Sequence, residues 1–294
     1  LLPSPHMAEK AEAALVITGV HGQLGRAFAG AASQRGRTVV GCDIDTLDIR
    51  DREGINRFVG EARPLAVINC AAMTAVDDCE INAAQAMEIN GAAVANLAAA
   101  CNEAGAQLVQ ISTDYVFSGR ATRPYTEEDA TGPPSAYGRS KVLGEELARS
   151  AHRHLIVRTA WLYGHGGRHF VGAIRSQIES GAHTLRVVDD QRGCPTLCDD
   201  LAAAVLDLID KGAEDVVHAV NAGETSWHGF AVEIARLLGA DVEILAAASD
   251  DLRRLAPRPA YSVLSTRRLE TLIGRALPSW QDALARFLGT PCAS

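Results

Sequence analysis

A tyrosine and a lysine one helical turn apart give the clearest chemical signal in this sequence. Tyr137 and Lys141 are four positions apart, so in a helix their side chains share one face. A phenol with an ordinary pKa of about 10 is a weak acid at neutral pH, and a neighbouring ammonium group lowers that pKa. The pair therefore predicts that Tyr137 delivers a proton to a carbonyl oxygen while a hydride adds to the carbonyl carbon. Alone, this spacing would equally fit an ordinary surface helix.

Hydroxyl groups precede the pair in the sequence. Thr113 follows an apolar run, at the predicted end of a buried strand. A hydroxyl there can hydrogen-bond a substrate carbonyl and tune the proton transfer, although a β-branched residue also simply suits a strand. Because Thr113, Tyr137 and Lys141 occur together and in this order, we predict that they are the catalytic residues. Tyr137 and Lys141 are also predicted to bind the cofactor, because the lysine can hold the nicotinamide ribose.

A glycine-rich loop lies between the first predicted strand and the first predicted helix. It contains Gly19, Gly22 and Gly25, with Gln23 and Leu24 between the last two glycines. Glycines let backbone amides approach a pyrophosphate, and a helix N-terminus favours its negative charge. A plain turn with close helix packing needs similar residues, but the position between strand and helix favours a nicotinamide cofactor bound by these five residues.

An aspartate at the end of the second predicted strand supports the cofactor prediction. Asp43 comes 18 residues after Gly25, where a carboxylate can bind the adenosine ribose hydroxyls. A carboxylate favours NADH because it repels the 2′-phosphate of NADPH, whereas Arg50 and Arg52 could tolerate that phosphate. The sequence therefore predicts NADH or NADPH as cofactor and leaves the preference open.

Two further short stretches are predicted to contact the cofactor. Asp48 and Ile49, soon after the second strand, could cover the adenine. Ala71, Ala72 and Met73 follow the third strand, where small side chains would let a cofactor lie close to the backbone. Small residues there could equally reflect simple packing.

Alternation of apolar strands with helices predicts the element order that positions these residues. Near-continuous apolar runs separated by helices are typical of a parallel sheet covered on both faces, with ligands at the carboxyl ends of its strands. The fold class predicted is α/β, a Rossmann-type doubly wound parallel sheet with a smaller C-terminal substrate-binding lobe. The predicted strands are 14–18, 38–42, 65–70, 107–112 and 154–159, and the predicted helices are 23–35, 52–61, 83–104 and 141–150.

The pattern changes near residue 160, where prolines begin to interrupt shorter elements. We predict an NAD(P)-binding domain over 13–160 and a mainly substrate-binding lobe over 161–294, with some segments of the second half returning to the sheet. Residues 1–7 are interpreted as an expression remnant outside the fold.

Composition excludes several classes of function. The net charge is −8 without a basic block, which argues against nucleic acid as a partner. No apolar run reaches the roughly 18 residues of a membrane span, so no membrane is predicted. Seven scattered cysteines favour free thiols in a reducing cytoplasm, and their spacing gives no convincing metal site.

Several of these stretches resemble the extended short-chain dehydrogenase/reductase family. The general likeness lies in the glycine loop, in STDYVFSG (112–119) and in YGRSK (137–141). Within that family the chain is similar to the dTDP-4-dehydrorhamnose reductases. This narrower likeness lies in GQLG (22–25), NCAAMTAVD (69–77), RTAWLYG (158–164) and DQRGCPT (190–196).

The resemblance implies an activity and a set of substrate contacts. It implies hydride transfer from the nicotinamide to the C4 ketone of dTDP-4-dehydro-L-rhamnose, giving dTDP-L-rhamnose. The substrate residues it implies are Thr74, Val76, Asp77, Thr113, Asp114, Tyr137, Trp161 and Arg258. Some family members carry a carboxylate after the third glycine that serves a magnesium-bridged dimer. Arg26-Ala27 stands there in this chain, so no metal is predicted and a homodimer stays open.

Two other functions fit the same pattern. A related sugar-nucleotide epimerase or dehydratase would share the cofactor loop, although a dehydratase usually has an acid pair after its threonine and Asp114-Tyr115 supplies one carboxylate. A non-catalytic regulatory subunit could use the same fold, but it could dispense with the Tyr/Lys pair that this sequence retains.

Overall fold

Buried apolar segments form a six-stranded parallel sheet in the computed structural model, which describes residues 14–252 and 254–289. The interpretation of residues 1–7 falls outside the described residues. The strands are β1 (Leu15–Thr18), β2 (Val39–Cys42), β3 (Ala66–Asn69), β4 (Gln107–Thr113), β5 (His154–Thr159), β6 (Leu162–Tyr163), β7 (Thr184–Val188), β8 (Arg192–Gly193), β9 (Thr196–Leu197), β10 (Asp215–His218), β11 (Thr225–Ser226) and β12 (Glu243–Ala247). The large sheet has the order β10-β5-β4-β3-β1-β2.

Helices cover both faces of this sheet. They are α1 (Gln23–Gln34), α2 (Arg52–Ala62), α3 (Val76–Ile81), α4 (Ala83–Ala86), α5 (Val94–Ala104), α6 (Ala136–Ala148), α7 (Phe170–Glu179), α8 (Cys198–Asp210), α9 (Trp227–Leu237), α10 (Arg267–Ile273) and α11 (Trp280–Leu288). One apolar core joins the sheet to α1 and α8, and a second joins it to α2 and α5. The predicted α/β fold with a doubly wound parallel sheet is thereby confirmed.

The order of the strands reverses next to β1, and this reversal creates the site. The chain passes from β1 to β2 on one side and then returns to β3 on the other side. Helices on either side of the reversal cover opposite faces, which opens a crevice at the carboxyl ends of β1 and β3.

Two predicted helices differ from the structure. The prediction of a continuous helix over 83–104 was wrong, because a π-helical segment, Met87–Ala92, separates α4 from α5. Asn90 in that segment binds the backbone of Met73 through both its oxygen and its nitrogen, at 2.7 and 2.9 Å. Helix α6 begins at Ala136 rather than at residue 141, because the Ser135 hydroxyl caps it by accepting from Gly138 N.

The second half forms a smaller lobe and also contributes to the sheet. Strands β7 and β12 pair in parallel, and α7, α9 and α11 enclose a separate apolar core against them. Helix α8 and strand β10 return to the large sheet. The short strands of this lobe escaped sequence reasoning because two to five residues carry too little periodicity. Within the two described ranges, no helix is long and apolar enough to cross a membrane.

Candidate functional site

Two adjoining cavities lie at the carboxyl edge of the sheet, and a third lies beside them in the smaller lobe. The adenosine-side cavity, about 310 Å³, is lined by the end of β2 and the residues after β3. The central cavity, about 490 Å³, shares the glycine loop with it. The lobe cavity, about 600 Å³, shares Tyr115 and Trp227 with the central one. Two elongated ligands could therefore lie end to end in one continuous groove.

The three predicted catalytic residues meet in the central cavity. Thr113 ends β4, and Tyr137 and Lys141 project from α6 into the same space. The Lys141 ammonium is buried and donates a 2.6 Å hydrogen bond to the Ile111 carbonyl. Burial lowers the pKa of Lys141 to about 8. Strand and helix thus place a phenol, an amine and a hydroxyl around one small volume.

The pKa of Tyr137 differs from the sequence prediction in this ligand-free structure. Burial raises the pKa of the phenol above its ordinary value, and its hydrogen bond with Thr113 acts in the opposite direction. The lowering expected from Lys141 was wrong for this state, because burial has the largest effect on the pKa of the phenol. Tyr137 is therefore a protonated phenol in this state and can donate a proton.

Helix α6 is held close to the end of β4 by specific contacts. A Cβ at Gly138 would lie 2.3 Å from the Tyr115 carbonyl oxygen, so only glycine permits this approach. The Glu80 carboxylate accepts a 2.6 Å bond from Ala136 N at the start of the helix. Asn90 also donates to Ser140 Oγ at 3.0 Å. These contacts fix the position of Tyr137 relative to Thr113.

A buried ion pair holds helix α6 against strand β5, one helical turn beyond Lys141. Glu145, one turn after Lys141, accepts from Arg158 Nε and Nη2 at 2.8 and 2.7 Å and from Ser112 Oγ at 2.6 Å. The Arg158 and Glu145 side chains are 3% and 1% exposed. Because Ser112 precedes Thr113, this pair links helix α6, strand β5 and the catalytic end of β4.

The Asp114 carboxylate, expected to contact substrate, is 1% exposed and has protein partners on both oxygens. Oδ1 accepts from the Thr113 hydroxyl at 2.9 Å, and Oδ2 accepts from the Ser262 hydroxyl at 2.5 Å. Burial raises the pKa of Asp114 to about 6, while both hydroxyls act to lower it. Ser262, which lies 148 positions away in sequence, was missed because no local pattern marks it.

The glycine loop packs closely against itself and against the residues that follow β3. Gly19 has φ +64°, and a Cβ there would lie 2.8 Å from Ala71 N. A Cβ at Gly25 would lie 2.2 Å from the Gly19 carbonyl oxygen. The central cavity brings together Gly19, Gly22, Gln23, Leu24, Gly25 and Ala72. Backbone and the N-terminus of α1 therefore form a cradle without obstructing side chains, which fits a pyrophosphate.

The adenosine-side cavity holds the remaining predicted cofactor residues. It is lined by Asp43, Asp48, Ile49, Ala71, Ala72 and Met73. The Asp43 carboxylate accepts from His21 N at 2.9 Å and from Ile44 N at 2.8 Å. Arg50 is bound by Asp48 through two nitrogens, at 2.8 and 2.6 Å, which keeps the pKa of Asp48 below its usual value. Arg50, one of the two cations considered for a 2′-phosphate, is thus already paired.

The predicted substrate residues are divided between two cavities. Thr74, Val76, Asp114 and Trp161 line the central cavity together with the catalytic residues. Trp161, at φ +47°, stacks on Trp227 with ring centroids 3.5 Å apart and planes at 4°. This pair of indoles lies where the central and lobe cavities meet, and it therefore shapes the passage between them.

Arg258 lines the lobe cavity and lies outside the central one. Its guanidinium donates to both oxygens of Asp77 at 3.1 and 3.0 Å, which holds the pKa of that carboxyl below its usual range. Arg186 and Arg254 line the same cavity and were not predicted. Arg254 and Arg258 are close together in an acidic chain, and this cluster could have indicated an anion site from the sequence. No feature of the sequence near Arg186 indicated its position.

Comparison with known proteins gives consistent matches over nearly the whole chain. The family described as RmlD substrate binding domain matches residues 13–291. The dTDP-4-dehydrorhamnose reductase of Streptomyces griseus is 41% identical over 285 residues, covering 94% of this chain and 93% of that protein.

Two solved structures give the same result. A dTDP-4-dehydrorhamnose reductase from Clostridium acetobutylicum is 42% identical, with a TM-score of 0.91 over 94% of this chain and 98% of the other. The reductase of the same name from Bacillus anthracis, in complex with NADP, is 34% identical, with a TM-score of 0.91 over 94% and 99% of the two chains.

Proposed function

We propose that this chain, which belongs to the RmlD substrate binding domain family, is an NAD(P)H-dependent reductase of the C4 ketone of dTDP-4-dehydro-L-rhamnose, giving dTDP-L-rhamnose. The observation that carries the proposal is the convergence of Thr113, Tyr137 and Lys141 in a cavity that also contains the glycine loop. A proton donor and a cradle for a pyrophosphate thus share one space, as ketone reduction by a dinucleotide requires.

The side chains divide the reaction between them. A reduced nicotinamide, when bound, supplies the hydride to the ketone carbon. Tyr137 is a protonated phenol and gives its proton to the ketone oxygen as negative charge develops there. Lys141 has three N–H donors, of which the Ile111 carbonyl uses one, so two are free for a ribose hydroxyl and the phenol oxygen. Thr113 supplies a hydroxyl beside the phenol.

The cofactor residues follow from the two cavities on the β1–β2 side. We assign the pyrophosphate to the backbone at Gly22 to Gly25 and the adenosine ribose to Asp43. The adenine would lie between Ile49 and the small residues after β3. The Asp48 carboxylate is occupied by Arg50, so Asp48 acts through that ion pair.

The lobe cavity fits the nucleotide part of the substrate. Arg186 and Arg254 line it with 61% and 55% of their side chains exposed. Arg186 donates to Asp251 at 3.0 Å, and its other N–H groups and those of Arg254 match a diphosphate. Phe170 and Trp227 supply aromatic surface for a base. The sugar would then extend past Trp161 to Tyr137.

The test mixes purified protein with NADPH, and separately NADH, and with dTDP-4-dehydro-L-rhamnose generated in situ, while following the absorbance of the reduced nicotinamide. Stoichiometric oxidation that depends on the sugar nucleotide supports the proposal, and the two rates rank the cofactors. Internal recycling of the cofactor would instead indicate an epimerase or dehydratase. Cofactor binding without turnover would favour a regulatory subunit. A parallel assay with dTDP-4-keto-6-deoxy-D-glucose tests stereochemical selectivity.

Two properties complete the proposal. Six described cysteines are free, five of them buried, which suits the cytoplasm as the compartment of a nicotinamide reductase. A homodimer stays open for this chain, and light scattering after gel filtration tests it. A monomer at assay concentrations would contradict it.

A further inference from the structure

The Thr113 hydroxyl lies between two groups that compete for its single proton. It contacts the Tyr137 phenol on one side and the Asp114 carboxyl on the other. It also accepts from Tyr115 N at 3.2 Å. If Thr113 donates to Asp114, it cannot donate to the phenol oxygen or to a substrate ketone at the same time. The state of Asp114 therefore decides what Thr113 can do in the reaction.

We propose that Asp114 and Ser262 are positioning residues that set the direction in which the Thr113 hydroxyl proton points. The proposal rests on the reductase activity proposed above. Asp114 lines the central cavity, and both of its carboxyl oxygens bind protein hydroxyls, so this role adds to the predicted contact with substrate.

The surroundings of Asp114 make its neutral form accessible. Among the described residues no cation contacts its carboxyl, and its hydrogen-bond partners are neutral hydroxyls and backbone amides. The titratable groups that interact with it are Tyr115 on the same turn, Tyr137 on α6 and Cys194 after β8. Burial raises the pKa of each of these three groups, so they are uncharged near neutral pH.

The two forms of Asp114 direct the Thr113 proton differently. The ionised carboxylate accepts from Thr113 and so withdraws the proton from the reacting oxygen. The neutral carboxylic acid donates to Thr113 Oγ1, and the Thr113 proton then turns toward Tyr137 and the ketone. As the ketone oxygen gains negative charge, an additional donor stabilises the transition state. The neutral form of Asp114 is therefore the more active one.

Ser262 determines which carboxyl oxygen carries the proton of the neutral acid. Its hydroxyl donates to Oδ2 at 2.5 Å, and the carbonyl of Arg192, at 3.4 Å, is its more distant acceptor. With Oδ2 held as an acceptor, the acidic proton is placed on Oδ1, which faces Thr113. The segment that carries Ser262 thus connects the C-terminal part of the chain to the catalytic hydroxyl.

The experiment compares kcat and KM from about pH 5 to about pH 8 in the wild type, Asp114→Asn, Ser262→Ala and Tyr261→Phe. In the wild type kcat falls toward a lower plateau as the pH rises through about 6, where Asp114 ionises. Asp114→Asn keeps a permanent donor toward Thr113, so this step disappears and kcat stays near the low-pH value. Ser262→Ala removes a donor that stabilises the carboxylate, so the step moves up by about 1 pH unit.

Tyr261→Phe is the matched control, because it removes a neighbouring hydroxyl that bonds Glu224 at 3.3 Å. We expect it to leave the step in place. All four proteins should keep the KM of the sugar nucleotide within about twofold. An increase in KM without a change in kcat for Asp114→Asn would show that Asp114 only binds substrate and overturn the proposal. Equal loss of kcat at every pH in Ser262→Ala would show a structural role and overturn it too.

A measurement without turnover separates this inference from the proposed reaction. The infrared carbonyl band of a protonated carboxyl should titrate near pH 6 in the protein without substrate and should be absent in Asp114→Asn. A titrating band in a protein that does not oxidise NAD(P)H would mean that the proposed reaction fails while Asp114 behaves as inferred. No such band in an active enzyme would overturn the role of Asp114 alone.

Discussion

The buried pair of Glu145 and Arg158 gives the sharpest prediction about stability. Glu145→Gln keeps the size of the side chain but removes the charge that balances an arginine of 3% exposure. Breaking one partner of a buried pair typically costs about 3–5 kcal/mol, because the remaining charge stays in a poorly solvating environment. Both bonds from Arg158 are direct, at 2.8 and 2.7 Å, so we expect a loss within that range.

Urea unfolding followed by circular dichroism measures this loss. With a slope of about 3 kcal/mol per molar urea, the midpoint should fall by about 1–1.7 M. The matched control is Glu179→Gln, whose carboxylate pairs with Arg175 at 2.6 Å while both side chains are more than half exposed. We expect that exposed pair to contribute less than about 0.5 kcal/mol. Similar small losses in both variants would refute the reasoning.

A double variant tests whether the cost comes from the orphaned charge. Glu145→Met combined with Arg158→Met removes both charges and leaves apolar side chains of similar length. Replacement of a complete buried pair by apolar residues is often neutral or stabilising, so the double variant should be more stable than Glu145→Gln. A double variant that is less stable than the single one would show that the hydrogen bonds, and not the unpaired charge, dominate.

Three further substitutions test the site. Gly25→Ala places a Cβ 2.2 Å from the Gly19 carbonyl oxygen, so the loop must open. The Kd of NAD(P)H measured by calorimetry should therefore rise at least about tenfold. An unchanged Kd would contradict the role of the loop. Tyr137→Phe should lower kcat at least about 100-fold while cofactor affinity stays the same, and equal loss of both would mean that the phenol is structural. Gly193→Ala puts a Cβ 2.5 Å from the Trp161 indole, which must then move. The KM of the sugar nucleotide should therefore rise about tenfold. A KM like that of the wild type would argue against Trp161 as a substrate contact.

The order of strands and helices, and the identity of the catalytic residues, could be predicted from local sequence. Apolar runs separated by helices determine a parallel sheet, and such a sheet brings the ends of β1, β2, β3 and β4 to one edge. Gly19 and Thr113 lie at such ends, and Tyr137 and Lys141 share one helix face, so their convergence in one cavity follows from chain order. Asp43, at the end of β2, lines the neighbouring cavity. These features depend on contacts between residues close in sequence, which leave a periodic pattern.

Tertiary structure alone decided how those residues are partnered. Lys141 donates a hydrogen bond to the Ile111 carbonyl, and burial raises the pKa of the Tyr137 phenol. Both depend on the packing of α6 against β4. Asp114 meets Ser262 across 148 positions, and Arg258 meets Asp77 across 181. Such contacts join side chains whose separation in sequence leaves no periodic signal, and the energy of a charge or proton depends on its distances to all neighbours. The sequence therefore determined which chemical groups line the site, whereas only the folded chain determined their protonation and their direction.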